Sequence, residues 1–157
     1  MSIVVHLADA DATGALGEAI GRAARAGDVV AADGPLGAGK TCLAQGVARG
    51  LEVPPDHYVN SPTFAILQSH PGRLVFHHID LYRIGDADEA LGLGLEEVVG
   101  TDGVALVEWP GRVPELFPPD VLWIRLRHEG SGRRAELHAT GPGSRRVLEM
   151  INRSIDG

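Results

Sequence analysis

Lysine is almost missing from this chain: of its 14 basic residues, Lys40 alone is a lysine and the rest are arginines. Cysteine is as scarce. A single residue, Cys42, excludes an intramolecular disulfide and a cysteine-rich zinc module, and it suits a reducing compartment. No stretch approaches the roughly 20 apolar residues of a membrane span. The opening residues, Met1 to Leu7, lack the basic start and the long apolar run of a signal peptide. A cytosolic protein without membrane contact is expected. No internal repeat or low-complexity tract is present. The net charge of −7 argues against a stand-alone nucleic-acid binder. That charge is uneven, with 17 acids against 7 bases before residue 121 and 4 acids against 7 arginines from there on. The C-terminal quarter is therefore expected to form the electropositive side of the molecule.

The chain is organised around Gly34-Pro35-Leu36-Gly37-Ala38-Gly39-Lys40-Thr41, a complete G-x-x-x-x-G-K-[ST] phosphate loop. The preceding run, residues 28–32, reads as a buried strand. The following one, Cys42 to Leu51, carries Leu43, Val47 and Leu51 at helical spacing. Strand, glycine loop and helix form the context this motif requires. Its glycines let successive backbone N–H groups turn inward on a phosphate chain, and the helix that follows aims its positive end at the same anion. Leu36, Gly37, Ala38, Gly39, Lys40, Thr41 and Cys42 are thus candidate nucleotide contacts. Lys40 is expected to reach the β- and γ-phosphates, and the Thr41 hydroxyl to ligate magnesium. The lone lysine sits where a compact ammonium fits and a wide guanidinium does not. Cys42 reads as a small buried hydrophobe rather than a reactive thiol.

With 157 residues the chain is long enough for one domain with helices packed on a sheet. Residues 2–7 read as a strand. Asp9 or Asp11 can cap a helix running to about Ala26, with Leu16, Ile20, Ala23 and Ala24 on its buried side and Gly27 at its end. Residues 65–68 and 74–79 read as strands around a Pro71-Gly72 turn, and residues 86–99 as helix-prone but interrupted by Gly92 and Gly94. Residues 104–107 form a short buried strand, residues 121–127 and 134–138 a hairpin, and residues 144–155 a closing helix. This order predicts an α/β, three-layer, phosphate-loop NTPase-like domain spanning residues 1–157, with a mixed parallel and antiparallel sheet.

Two apolar strands end in carboxylates, Asp80 and Glu108. A carboxylate at such a strand end, beside a phosphate loop, can bind magnesium or activate water. Thr63, in Ser61-Pro62-Thr63-Phe64, lies where nucleotide switches place a sensing threonine; a proline turn satisfying local backbone groups accounts for it equally well. Alternation puts His78 and Asp80 on one strand face and His77 on the other, which favours His78 as a hydrogen-bonding support over a transition-metal site. Trp109 reads as a core filler or as a platform for bound nucleotide. No guanine-reading Asn-Lys-x-Asp follows a strand, so ATP is favoured over GTP. A small-molecule kinase of the shikimate-kinase type would suit the same phosphate loop, but no acceptor-binding motif accompanies it.

Four blocks in order, Leu36 to Thr41, Ser61 to Phe64, His78-Ile79-Asp80-Leu81-Tyr82-Arg83 and Glu108-Trp109-Pro110, resemble the bacterial TsaE (YjeE) family, and Thr13-Gly14-Ala15-Leu16-Gly17 fits its usual Thr-x-x-Leu-Gly. The resemblance covers roughly residues 7–140. It implies a small ATPase that assists synthesis of threonylcarbamoyladenosine next to the tRNA anticodon, working with TsaD-like and TsaB-like proteins and meeting tRNA through them. It further implies that Thr41 and Glu108 ligate Mg2+ with Asp80 at the same centre, and that Thr63 is the switch. Catalytic roles thus fall to Lys40, Thr63, Asp80 and Glu108. Ala10 and Thr13 join the candidate nucleotide contacts. So does Arg133, placed just past a glycine turn from which it can swing toward ATP. Pro35, where the family commonly has an acid, and Cys42, where it has threonine, are departures that remove no catalytic group.

Overall fold

The computed structural model describes residues 1–57, 59 and 66–156. In chain order the elements are β1 (Ser2–Leu7), α1 (Ala10–Ala23), β2 (Val29–Asp33), α2 (Lys40–Gly50), β3 (Leu67–His70), β4 (Phe76–Asp80), α3 (Ala87–Gly92), β5 (Val104–Glu108), β6 (Leu122–Glu129), β7 (Gly132–Ala139) and α4 (Pro142–Asp156). Single 3-10 turns at Leu95–Glu97, Pro110–Arg112 and Pro114–Leu116 fill the connections. One seven-stranded sheet, in the order β1-β7-β6-β2-β5-β4-β3, runs through the chain. Its centre, β6-β2-β5-β4, is parallel, while β3 and the β7-β1 pair add antiparallel edges.

Period-two alternation divides the apolar residues between two cores. Leu106, Phe76, Val30 and Ala32 pack under α1, α2 and α4 on one face, and Val29, Ala31, Ala105, Val107 and Ile79 pack under the α3 side on the other. Helices on both faces make the three layers expected from the element order.

Local chemistry explains the helix ends. The Asp9 carboxylate accepts from Ala12 N at 2.8 Å and starts α1, and Asp86 accepts from Glu89 N at 2.9 Å and starts α3. The predicted helix over 86–99 breaks at Gly94, which takes a φ of 74°, a conformation that costs a residue with a Cβ. The helix α1 stops at Ala23 rather than Ala26. The Arg73 guanidinium donates to the carbonyls of Gly21 at 2.8 Å and Arg22 at 3.4 Å, acceptors that a helix running to Ala26 would use itself, and to Ala24 O at 3.0 Å. Because the Arg73 amide also donates to Leu51 O at 2.6 Å, the Pro71-Gly72 turn is wider than predicted and β4 begins at Phe76 rather than Leu74.

The helices α1 and α2 touch backbone to backbone. A Cβ at Gly17 would lie 2.9 Å from Val47 N and 3.0 Å from Gly46 Cα, and one at Gly50 would lie 2.8 Å from Arg22 N. This packing sets the start of α1 directly against the start of α2.

Candidate active site

The residues of the phosphate loop join β2 to α2 with Gly34, Gly37 and Gly39 all at positive φ. Gly39 occupies the N-cap of α2 with φ 108°, and no side chain caps the helix there. The first amides of α2 thus have no side-chain acceptor, an arrangement suited to an incoming anion. Lys40, the first residue of α2, is buried, donates to Gly34 O, and sits with Nζ 3.8 Å above the centre of the Trp109 ring. Burial pushes the Lys40 ammonium below its ordinary pKa, while the carboxylates of Glu108, Asp33 and Asp80 act in the opposite direction. Trp109 is therefore neither a plain core filler nor a free platform: its π face carries the ammonium. Its φ of 57°, uncommon for a residue with a side chain, turns the ring from the end of β5 toward the loop.

The parallel pairing of β4 with β5 sets Asp80 opposite Glu108. Both expected carboxylates therefore stand on one rung, Glu108 on the strand next to β2 and its phosphate loop and Asp80 one strand farther out. Asp80 Oδ1 accepts from Tyr82 N at 2.9 Å. Glu108 is 1% exposed, and its Oε2 lies 2.5 Å from Nε2 of the fully buried His78. His77 is directed elsewhere, with Nδ1 2.8 Å from Ser69 Oγ. Asp33, the last residue of β2, is a third strand-end carboxylate near Lys40, and sequence reasoning passed over it. Its signal is the same as that of the other two, a carboxylate closing an apolar run, here directly before the first glycine of the phosphate loop.

The nucleotide-contact candidates from distant parts of the chain meet in one cleft of about 300 Å³, lined by Ala10, Thr13, Gly39, Cys42, Gly132 and Arg133 among others. Arg133 Nη2 donates to Gly37 O at 3.1 Å, so β7 reaches the phosphate loop directly. Cys42 Sγ donates to Ala10 O at 3.1 Å, a contact between the first turns of α2 and α1. Leu36 is 74% exposed at the loop tip, while Ala38 is buried beneath it. Thr41 lies half-buried in the first turn of α2. Thr63 lies outside the described residues, as does the rest of its Ser61 to Phe64 block.

The expected electropositive side is not uniform. Arg125 Nε lies 4.0 Å from Asp33, Arg134 Nε 3.5 Å from Glu136, and Arg146 Nη2 2.8 Å from Asp28. Arg146 ties α4 to Asp28, the residue before β2.

The sequence profile of the family described as threonylcarbamoyl adenosine biosynthesis protein TsaE matches residues 7–136. The chain belongs to the TsaE family. Among TsaE proteins, the tRNA threonylcarbamoyladenosine biosynthesis protein of Treponema pallidum is 37% identical over 118 residues, covering 75% of this chain and 86% of its own. That of Bacillus subtilis is 40% identical over 129 residues, covering 82% and 77%. The crystal structure of Bacillus subtilis YdiB superposes with a TM-score of 0.86 at 29% identity, covering 99% of this chain and 97% of that one. TsaE membership disfavours the small-molecule kinase alternative and agrees with a nucleotide-binding phosphate-loop fold. Among the described residues no helix is long and apolar enough to cross a membrane.

Proposed function

We propose that this chain hydrolyses ATP with Mg2+ at the Lys40–Asp80–Glu108 centre and that hydrolysis drives threonylcarbamoyladenosine modification of tRNA on partner subunits. The observation that carries this reading is the pairing of two strand-end carboxylates, Asp80 opposite Glu108, next to the loop that holds a buried lysine. Among the described residues no group of three or more His, Cys, Asp or Glu side chains is arranged to hold a metal ion alone. That suits magnesium, which usually binds through one or two carboxylates together with substrate phosphates. An oxygen-only set of Thr41, Glu108 and Asp80 fits this hard cation, which neutralises phosphate charge when bound.

The protein groups then divide the work. The uncapped amides of α2 and the loop bind the phosphates, and Lys40 leaves Trp109 to pair with them. Thr63 acts as the switch between nucleotide states. Either Asp80 or Glu108 orients the attacking water and accepts its proton. The adenine base is held by the cleft of Ala10, Thr13, Cys42 and Arg133. TsaD-like and TsaB-like proteins are the partners, tRNA is reached through them in the cytoplasm, and hydrolysis by the isolated chain is slow because a stimulating group comes from a partner.

Phosphate release and nucleotide calorimetry test the proposal. Asp80→Ala and Glu108→Ala should each slow hydrolysis by about 10²-fold or more while keeping the fold. Normal hydrolysis in both variants, or equal affinity for GTP and ATP, would overturn it. Rapid turnover that is unchanged by the partner subunits would remove the accessory role.

A further inference from the structure

We infer that His78 is the positioning residue for Glu108: its Nε2–H holds one carboxylate oxygen and leaves the other in a fixed orientation for magnesium–nucleotide binding. The inference rests on the metal reading of Glu108 and deepens it, naming what holds that ligand in place.

Alternation along β4 and β5 puts Phe76 and His78 on the same sheet face as Leu106 and Glu108. The His78 and Glu108 side chains are 0% and 2% exposed, with Nε2 and Oε2 2.5 Å apart. Phe76 stacks on the imidazole with ring centroids 5.8 Å apart and the rings 9° from parallel, and the His70 ring lies 6.2 Å from that of Phe76. The decisive detail is at the other nitrogen. Among the described residues, His78 Nδ1 is buried and has no hydrogen-bond partner. A residue needed only to fill this volume would avoid an unpartnered buried polar atom, which Phe or Leu would not introduce. What the imidazole adds is the bond at Nε2. The carboxylate can only accept there, so a neutral ring carries its proton on Nε2 and donates it.

A glutamate at a strand end has three side-chain torsions to restrain, where the neighbouring Asp80 has two and is fixed by a backbone amide, Tyr82 N. His78 supplies the missing restraint from the next strand. Partners of this kind, which hold a metal ligand from behind, typically govern metal affinity by about 10–100-fold.

The test is calorimetry of adenylyl imidodiphosphate, a non-hydrolysable ATP analogue, across a magnesium series and in EDTA. In His78→Leu the magnesium concentration that half-maximally tightens binding should rise about 10–100-fold, with affinity in EDTA unchanged. His78→Gln, whose amide N–H can reach the Nε2 position, should restore most of the loss. His78→Asn, whose amide falls nearer Nδ1, should not, and it serves as the deficient variant if His78→Leu fails to fold. In a Glu108→Ala background the His78 change should add nothing. A folded His78→Leu or His78→Asn protein with wild-type magnesium dependence, while Glu108→Ala is shifted, overturns the positioning role alone. An unshifted Glu108→Ala overturns the metal reading beneath it.

Discussion

Adding one methyl group at Gly17 should damage both the fold and the nucleotide site. The Cβ of Gly17→Ala would run into the Leu43 carbonyl oxygen and stand 2.9 Å from Val47 N and 3.0 Å from Gly46 Cα. All three are backbone atoms of α2, so no side chain can swing aside. Relief requires α1 to retreat by about 0.5–1 Å, given a preferred separation of about 3.5–4.0 Å between carbon atoms. Overpacking of this kind costs about 1–3 kcal/mol. At about 2–4 °C per kcal/mol for a chain of this length, the melting temperature should fall by about 2–12 °C. The same retreat separates Ala10 and Thr13 from Gly39 and Cys42, which together line the cleft beside the phosphate loop. Affinity for ATP should therefore fall at temperatures where the variant is still fully folded. Gly92→Ala is the control, because a Cβ there meets nothing within 4 Å. Thermal denaturation and calorimetry at 25 °C read the two effects. A Gly17→Ala protein that melts with the wild type and binds ATP as tightly would refute the close packing of α1 on α2.

Lys40→Ala removes a charge-assisted contact to phosphate and should weaken ATP binding by about 1.5–3 kcal/mol, read by calorimetry; unchanged affinity would remove Lys40 from the site. Arg133→Ala removes the donor to Gly37 O at 3.1 Å and should weaken ATP binding several-fold without lowering the melting temperature, whereas equal affinity would detach β7 from nucleotide binding. Asp120 offers a pH test. Burial alone would raise its carboxyl, but the Ser144 hydroxyl, the amides of Ser144 and Gly143, and the Arg146 charge together hold it below the ordinary carboxylate value. With the folded value depressed, its stabilising contribution is complete above the unfolded value of about 3.9 and is lost as pH falls through the folded one. The melting temperature of Asp120→Asn should therefore start lower at neutral pH and converge on the wild type in acid; a constant gap down to the lowest pH would exclude this linkage.

Features that rest on neighbours along the chain were legible before the fold was known. The phosphate loop, an aspartate cap at Asp9 or Asp11 and an interruption at Gly92 or Gly94 each follow from interactions spanning a few residues, and the structure uses Asp9 and Gly94. Strand periodicity was likewise legible, because alternation records which side chains a sheet buries. It placed His78 with Asp80 on one face and already suggested a supporting role for that histidine. Tertiary structure decided the pairings between residues far apart in the chain. The guanidinium of Arg133 could have faced solvent, but the register of β7 against β1 and β6 brings it to Gly37 O. Packing of α4 likewise sets Arg146 2.8 Å from Asp28, 118 positions earlier in the chain. Trp109 lies 69 positions beyond Lys40, and only the parallel pairing of β2 with β5 brings its ring under the ammonium. Hydrogen bonds and charge pairs depend on distances of about 3–4 Å, and local pattern carries no information on which distant strands lie side by side.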